Sequence, residues 1–325
     1  MSMPLEYQVL AAFALDLLLG DPRWLPHPVR LIGWTAFKIE SPIRKLFPSP
    51  YLAGIVAWLL IVGGTGAAAW GLVTLSARVH PLAPDIVSAL LMYTAFAARD
   101  LLNHSNRVLY ALRNSDLPEA RRRVGMIVGR DTENLDEAGV TRATVESVAE
   151  STLDGVTAPL FFAVLAGPAG ALAYKAINTL DSMFGHKDER YLRFGWASAR
   201  FDDAANFIPA RLTAPLIACA AALLGYGCGS SLRILARDGR KHESPNAGLS
   251  EAAVAGALNV QLGGVNVYAG VRSEGPLIGD PNVPLTPDHI SRANALMLGT
   301  AVLALVLFVS IRCVLLRVVF TGGAA

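Results

Sequence analysis

Cysteine, charge and the common catalytic signatures are all scarce in this chain. Its 325 residues hold three cysteines, Cys219, Cys228 and Cys313. None belongs to a Cys-x-x-Cys pair or a Cys/His cluster, so neither a disulfide framework nor a zinc site is supported, and they read as packing residues. Charged residues make up 17% of the sequence and the net charge is +2. That is too small to imply a nucleic-acid partner, and no basic run changes it. The chain has no P-loop, no His-Glu-x-x-His and no Gly-x-Ser-x-Gly, which disfavours a Walker-type ATPase, a zinc protease and an α/β-hydrolase. The flank MSMPLE lacks the basic region of a signal peptide, so the apolar segment that follows, residues 7–19, is expected to stay in the mature protein.

What the chain has in abundance is apolar sequence. Hydrophobic residues reach 53% and the mean hydropathy is +0.42, which identifies an integral membrane protein. The expected fold is all-α and multi-pass, a single membrane-embedded domain over residues 1–325 with about five to six spanning or re-entrant helical segments. Residues 51–75 carry no charge and suffice to cross a hydrocarbon core of roughly 30 Å. Their GTGAAA resembles a dinucleotide-binding turn, but no strand precedes it and no acidic residue follows at the needed distance. Gly63, Ala67 and Gly71 are instead expected to form a helix-packing face. Further spans are expected at 86–98, 207–226 and 295–311, whereas 7–19 holds Asp16 and is short for one.

Polar sequence is confined to a few stretches. Residues 20–34 contain Pro22, Pro26 and Pro28, which forbid regular helix and hold Arg23, His27 and Arg30 stiffly. Such a loop at a membrane surface binds an anion or, with Trp24 and Trp34, anchors at headgroup level. From 99 to 142 come Arg99, Arg107, Arg113, Arg121, Arg122, Arg123, Arg130 and Arg142, a density that marks the cytoplasmic side. Asp116 ahead of Leu117 and Pro118 predicts a helix start. Arg130 and Asp131, taken alone, read as a simple surface pair.

The organising stretch is 141–211. Glu146, Glu150 and Asp154 recur every four residues, which on a helix stacks three carboxylates on one face. Like charges repel there, so the stripe needs a cation, a metal or basic partners. The GPAG at 167–170 should kink the next helix or turn it back. Beyond it, Asn178, Asp181 and Lys187 return polar groups, and Asp202, Asp203, Asn206 and Arg211 stand at the mouth of a further span. Ionisable groups at membrane depth are functional candidates. Paired acids with asparagine suit Mg²⁺, which takes a few carboxylates and completes its shell with phosphates and water. Farther on, Ser244, Pro245 and Asn246 predict a turn, residues 249–260 an amphipathic helix holding Glu251, and Gly263, Gly264 and Gly270 a flexible loop around Tyr268.

Four blocks, GDPRWLPHPVRLIG, GRDTENLDEAGVTRATVESVAESTLDGVTAPLFF, YKAINTLDSMFGHKDERYLRFGWASARFDDAANFIPARLT and SPNAGLSEAAVAGALNVQLGG, occur in order over roughly residues 16–292. In them the chain resembles the CobD/CbiB family of cobalamin biosynthesis proteins, the adenosylcobinamide-phosphate synthases. The resemblance implies a multi-pass membrane enzyme that joins adenosylcobyric acid to (R)-1-amino-2-propanol phosphate, using ATP and Mg²⁺. It also implies association with other late cobalamin-assembly membrane enzymes. Ser151 and Leu249 depart mildly from the family pattern.

On this footing Glu146, Glu150 and Asp154 are expected to take the metal or the incoming amine, and Asp202 and Asp203 a second metal contact. Arg130, Lys187 and Arg211 are expected on phosphate oxygens, and Asp131, Asn178, Asn206 and Asn246 about the cofactor. Asp181 completes the catalytic set. The expected location is a bacterial or archaeal cytoplasmic membrane with the active site on the cytoplasmic side. Counting basic residues puts loops 20–50, 99–142 and 227–293 there, while 184–206 falls outside unless GPAG turns the chain back. An AmpE-like membrane sensor and a small-solute transporter are the rival classes.

Overall fold

The structure is a computed structural model that describes residues 3–22, 24, 27–186 and 188–322. In chain order it contains α1 (Leu5–Leu19), α2 (Pro28–Leu46), α3 (Pro50–Ser76), α4 (Ala83–Tyr93), α5 (Ala98–Arg113), α6 (Leu117–Val124) and α7 (Glu137–Ser151). A π-helical turn (Thr152–Thr157) leads into α8 (Ala158–Phe184), α9 (Trp196–Leu223), α10 (Cys228–Asp238) and α11 (Ala247–Leu258). Strands β1 (Gln261–Tyr268) and β2 (Val271–Gly279) follow, and α12 (Asp288–Gly322) closes the chain. Among the described residues four helical stretches are long and apolar enough to cross a membrane: α3, the run Glu137–Phe184, α9, and Asp288–Arg317 within α12. The expected helical membrane fold is observed, with the β1–β2 hairpin as the one departure from all-α among the described residues. The described chain divides into two compact units, one comprising Met1–Ala97, Ala158–Asn206 and Leu305–Ala325, the other Ala98–Thr157 and Phe207–Ala304.

In the first unit, α2, α3 and α8 pack around Ile32, Ala36, Ala57, Ile61, Ala176, Leu180 and Phe184. Helix α2 starts with Pro28 at its first position, where the missing N–H costs nothing. The proline-rich stretch thus ends at His27, and Arg30 and Trp34 stand on helix rather than in a rigid loop. Arg23 and Pro26 fall outside the described residues. Helix α3 begins at Ser49, whose hydroxyl accepts from the Leu52 amide. Its packed face carries Ala53, Ala57 and Ile61, while Gly63 and Ala67 are exposed and a Cβ at Gly63 or Gly71 would meet nothing within 4 Å. The expected Gly63–Ala67–Gly71 packing face is thus not the one used.

The expected span at 86–98 is also corrected. Helix α4 ends at Tyr93 after 11 residues, about 17 Å at 1.5 Å per residue, well short of the hydrocarbon core. At GPAG, α8 is broken by non-helical Ala166 and by Gly167 at φ 61°. Val164, in the turn before the break, offers its carbonyl to Arg312 Nη1 at 3.0 Å, and Arg312 Nε pairs with Glu6 at 3.0 Å. A second clamp holds the loop after α8: Glu40 accepts Arg44 at 2.9 Å and Arg190 at 3.1 Å, and the Arg44 guanidinium sits 4.0 Å over the Phe194 ring.

In the second unit, Asp116 caps α6 by accepting from the Glu119 amide at 3.0 Å, as its position predicts, and Asp136 caps α7 through Gly139 at 2.7 Å. Helix α11 is not amphipathic: every residue except Leu249 is buried, Glu251 included. Its small residues allow close approach to α10, where Ser231 donates to the Ala253 carbonyl at 2.8 Å. A Cβ at Gly256 would come within 2.5 Å of the Ser230 carbonyl oxygen. The glycine-rich stretch expected as a flexible loop is an antiparallel hairpin whose register shifts between Gly263 and Val265. Gly263 and Gly264 take φ of 79° and 87°, values open to glycine without strain.

Candidate functional site

The segment between α6 and α7, the face of α7 and the hairpin build one charged centre in the second unit. Glu146 is 5% exposed and ion-pairs with Arg130 Nη2 at 2.6 Å. The amide of Gly263 donates to Glu146 Oε1 at 2.7 Å. Arg142 stands 4.0 Å from the same carboxylate and donates to the Val265 carbonyl at 2.8 Å and to Asn266 at 3.1 Å. Arg130 also donates to Asn266 at 2.8 Å. Asp131 caps the hairpin turn, its carboxylate accepting from the amides of Ala269 at 3.2 Å and Gly270 at 2.8 Å. At the far end Asp238, fully buried, accepts from the Gly279 amide at 2.9 Å and pairs with Arg237 at 2.7 Å and Lys241 at 2.6 Å. These contacts, foremost the Arg237 hydrogen bonds, hold the Asp238 carboxyl well below the usual range.

One turn beyond Glu146, the Glu150 side chain is exposed, with His242, Arg130 and Glu146 as its charged neighbours. Glu251 of α11 faces the same acids. Burial first, then the charges of Glu150 and Glu146, push its carboxyl well above the ordinary range, against the pull of Arg130. Asp154 lies in the π-helical turn, a feature often found at functional sites. The Thr157 hydroxyl fastens that turn, 3.1 Å from the Thr152 carbonyl and 2.6 Å from the Thr213 hydroxyl. Arg211 donates to the Phe207 carbonyl at 2.7 Å and to Asn246 at 3.3 Å, and it stacks 3.5 Å over the Phe207 ring.

The remaining predicted residues that the structure describes belong to the first unit. Tyr174 donates to Asn206 at 2.9 Å, and Asn206 donates to Asp202 Oδ2 at 3.0 Å. Asp202 Oδ1 is buried with no hydrogen-bond partner among the described residues. Asp181, Asn178 and Asp203 also face that carboxyl, and Arg200 stands 3.9 Å from Asp203. Lys187 lies outside the described residues. The sequence-predicted set thus falls into two groups, seven residues from Arg130 to Asn246 in one unit and Asn178, Asp181, Asp202, Asp203 and Asn206 in the other.

Several members of the centre lie outside the sequence-predicted site set: Arg142, His242, Glu251 and Asn266. Only Glu251 gave a signal, as an acid within an apolar run. Asp131 and Glu146 are engaged by the hairpin backbone, and Arg130 by Glu146, so these three shape the centre from within.

Comparison with known proteins gives the chemical context. The CobD/Cbib protein family model matches residues 9–297. The chain is 54% identical over 299 residues to a cobalamin biosynthesis protein CobD of Geobacter metallireducens, covering 92% of this chain and 94% of that protein. It is 45% identical over 307 residues to a CobD of Leptospira interrogans, covering 94% and 98%. It is likewise 45% identical over 305 residues to a cobalamin biosynthesis protein CbiB of Salmonella choleraesuis, covering 93% and 96%. No solved structure matches the chain. A charged centre on a helical membrane scaffold, a family match over most of the length and near full-length relatives agree, and the chain belongs to the CobD/CbiB family of cobalamin biosynthesis proteins.

Proposed function

We propose that the protein is an adenosylcobinamide-phosphate synthase, joining the free carboxyl of adenosylcobyric acid to the amine of (R)-1-amino-2-propanol phosphate with ATP and Mg²⁺. The observation that supports this reading best is Arg130, paired with Glu146 at 2.6 Å and fixed by Asn266 at 2.8 Å, with Glu150 one turn on: a guanidinium and an acid set on a fastened scaffold. A carboxylate does not condense with an amine unaided. Its oxygen attacks the terminal phosphorus of ATP, giving an acyl phosphate and ADP. The amine nitrogen then attacks the acyl carbon, the carbon–oxygen bond to phosphate breaks, and amide and phosphate leave.

In this scheme Glu150 binds the substrate ammonium and takes its proton, while Arg130, held by Glu146 and Asn266, faces phosphate oxygens with its remaining donors. Among the described residues no three His, Cys, Asp or Glu side chains are placed to hold a metal by themselves. That donor set fits Mg²⁺ arriving with a nucleotide, since Mg²⁺ keeps water and phosphate ligands beside one or two carboxylates. Asp154 in one unit, and Asp202 with Asp203 in the other, are the carboxylates suited to it. Bound there, Mg²⁺ would neutralise phosphate charge.

The test is direct. Detergent-solubilised protein given ATP, Mg²⁺, adenosylcobyric acid and the aminopropanol phosphate should yield adenosylcobinamide phosphate and ADP by mass spectrometry. A folded preparation that makes no product while nucleotide and metal are varied would overturn the reading. Uptake of corrinoid into vesicles without turnover would favour a transporter instead.

A further inference from the structure

The β1–β2 hairpin covers one of its two edges and leaves the other open. Tyr268 stands opposite Val271 across its turn, followed by Val267 opposite Arg272, Asn266 opposite Ser273 and Val265 opposite Glu274. In an antiparallel ladder such pairs alternate between those that exchange both backbone hydrogen bonds and those that exchange none. The outer edge of β1 shows which are which. There the Val267 carbonyl accepts from the Asp131 amide at 2.8 Å, and the Val265 carbonyl accepts from Arg142 at 2.8 Å. Val265 and Val267 therefore turn their backbone groups away from β2, and the residues opposite them, Glu274 and Arg272, turn theirs away from β1. That second edge is bare. Residues Val271 to Glu274 are all exposed, and among the described residues nothing hydrogen-bonds or ion-pairs with the outward groups or side chains of Arg272 and Glu274.

An unpaired edge is a template for a further strand. Pro276, which has no N–H, and the register shift beside it end the regular stretch, so only residues 271–275 are open to pairing. Their charges select the strand. Arg272 and Glu274 are two apart and share one face. When a second copy of the edge runs antiparallel to the first with Ser273 opposite Ser273, each Arg272 stands opposite the other copy's Glu274, and each such pair exchanges both backbone hydrogen bonds. Centring the pairing on Arg272 or Glu274 instead sets like charges face to face, which is destabilising. The edge is thus complementary to itself in one register, and such an isologous contact closes at two copies. An extended peptide of another protein would satisfy the backbone edge, but nothing would place its charges.

We infer that the protein forms a homodimer through the β2 edge, the two-stranded sheets of both copies joining about a two-fold axis at Ser273.

The first measurement is the mass of the full-length protein in detergent, by light scattering over a range of concentrations. A dimer is expected. Arg272→Glu sets glutamates opposite each other and should weaken association about tenfold or more, and adding Glu274→Arg should restore it. The second measurement is cross-linking in lipid membranes, with Cys219, Cys228 and Cys313 replaced by Ala. In the inferred pairing the two Ser273 Cα atoms lie about 4.5 Å apart, within disulfide reach, and the two Val271 Cα atoms about 14 Å apart, beyond it. Mild oxidation should link Ser273→Cys into a covalent dimer and leave Val271→Cys unlinked. The altered edge residues are exposed, and thermal unfolding verifies that each variant is folded. A monomer at every concentration would overturn the proposal. So would a dimer indifferent to charge reversal, or one linked equally through either cysteine. Both readouts are independent of the proposed catalytic activity.

Discussion

Arg312 donates to the main-chain carbonyl of Val164 at 3.0 Å, replacing a donor the helix cannot supply: the residue four positions on is Pro168, and the chain breaks at Ala166–Gly167. The same guanidinium neutralises Glu6. One side chain therefore satisfies both a broken helix end and a nearly buried acid.

Replacing Arg312 by Met keeps the stem and removes both interactions. The expected loss of stability is about 1–3 kcal/mol, the usual effect of stranding a buried polar group. Thermal unfolding in detergent would measure it, and a Tm equal to that of the unaltered protein would count against the satisfied-carbonyl account.

Arg130→Met should cost more, on the order of 3 kcal/mol, because it leaves the Glu146 carboxylate buried beside the hairpin with only Arg142, at 4.0 Å, as an ion-pair partner. Adding Glu146→Met removes the stranded charge, so the double variant should be more stable than Arg130→Met alone. Strictly additive losses in a double-mutant cycle would show that the two side chains are not coupled.

Glu150→Gln is expected to lower turnover by about 10²-fold or more while leaving membrane insertion and the Tm unchanged, since it removes a proton acceptor and no structural bond. Asp154→Asn should behave similarly. Near-normal rates in both variants would return this face of α7 to an ordinary solvated one.

The folded-state pKa of Asp238 is depressed, so its contribution to stability is present above the ordinary aspartate pKa and is lost as pH falls below it. The stability difference between the unaltered protein and Asp238→Asn should therefore be constant from pH 8 down to about 4, and shrink at lower pH. Thermal unfolding across that range would reveal the trend. A difference that instead grows on acidification would reverse the sign and exclude the Arg237–Asp238–Lys241 network as its source.

Much of this architecture was legible before any coordinates. An uncharged run such as 51–75 has one cheap conformation in lipid, so α3 followed from composition alone. The caps at Asp116 and Asp136 are short-range, and Asp116 was readable. Which face of α3 packs was not, because Gly63 and Ala67 differ from Ala53 and Ala57 only in what stands opposite them. The break after Tyr93 was hidden within continuing apolar sequence. The hairpin was misread because glycine signals freedom in isolation, whereas here Asp131 and Glu146 capture its amides. Glu251 is legible only as an acid in an apolar run, because the burial that perturbs it is a tertiary property of α11.

The hairpin also sets an order of events during synthesis. Its turn is captured by a residue 139 positions earlier, and its bulge by one 117 positions earlier. When Asp131 and Glu146 leave the ribosome, the hairpin amides they capture do not yet exist. The loop ahead of α7 must wait, charged and unclosed, until Gly279 has been added. A nascent chain halted before residue 261 would leave this region open to protease, and the same region should close in a single step once the last strand arrives.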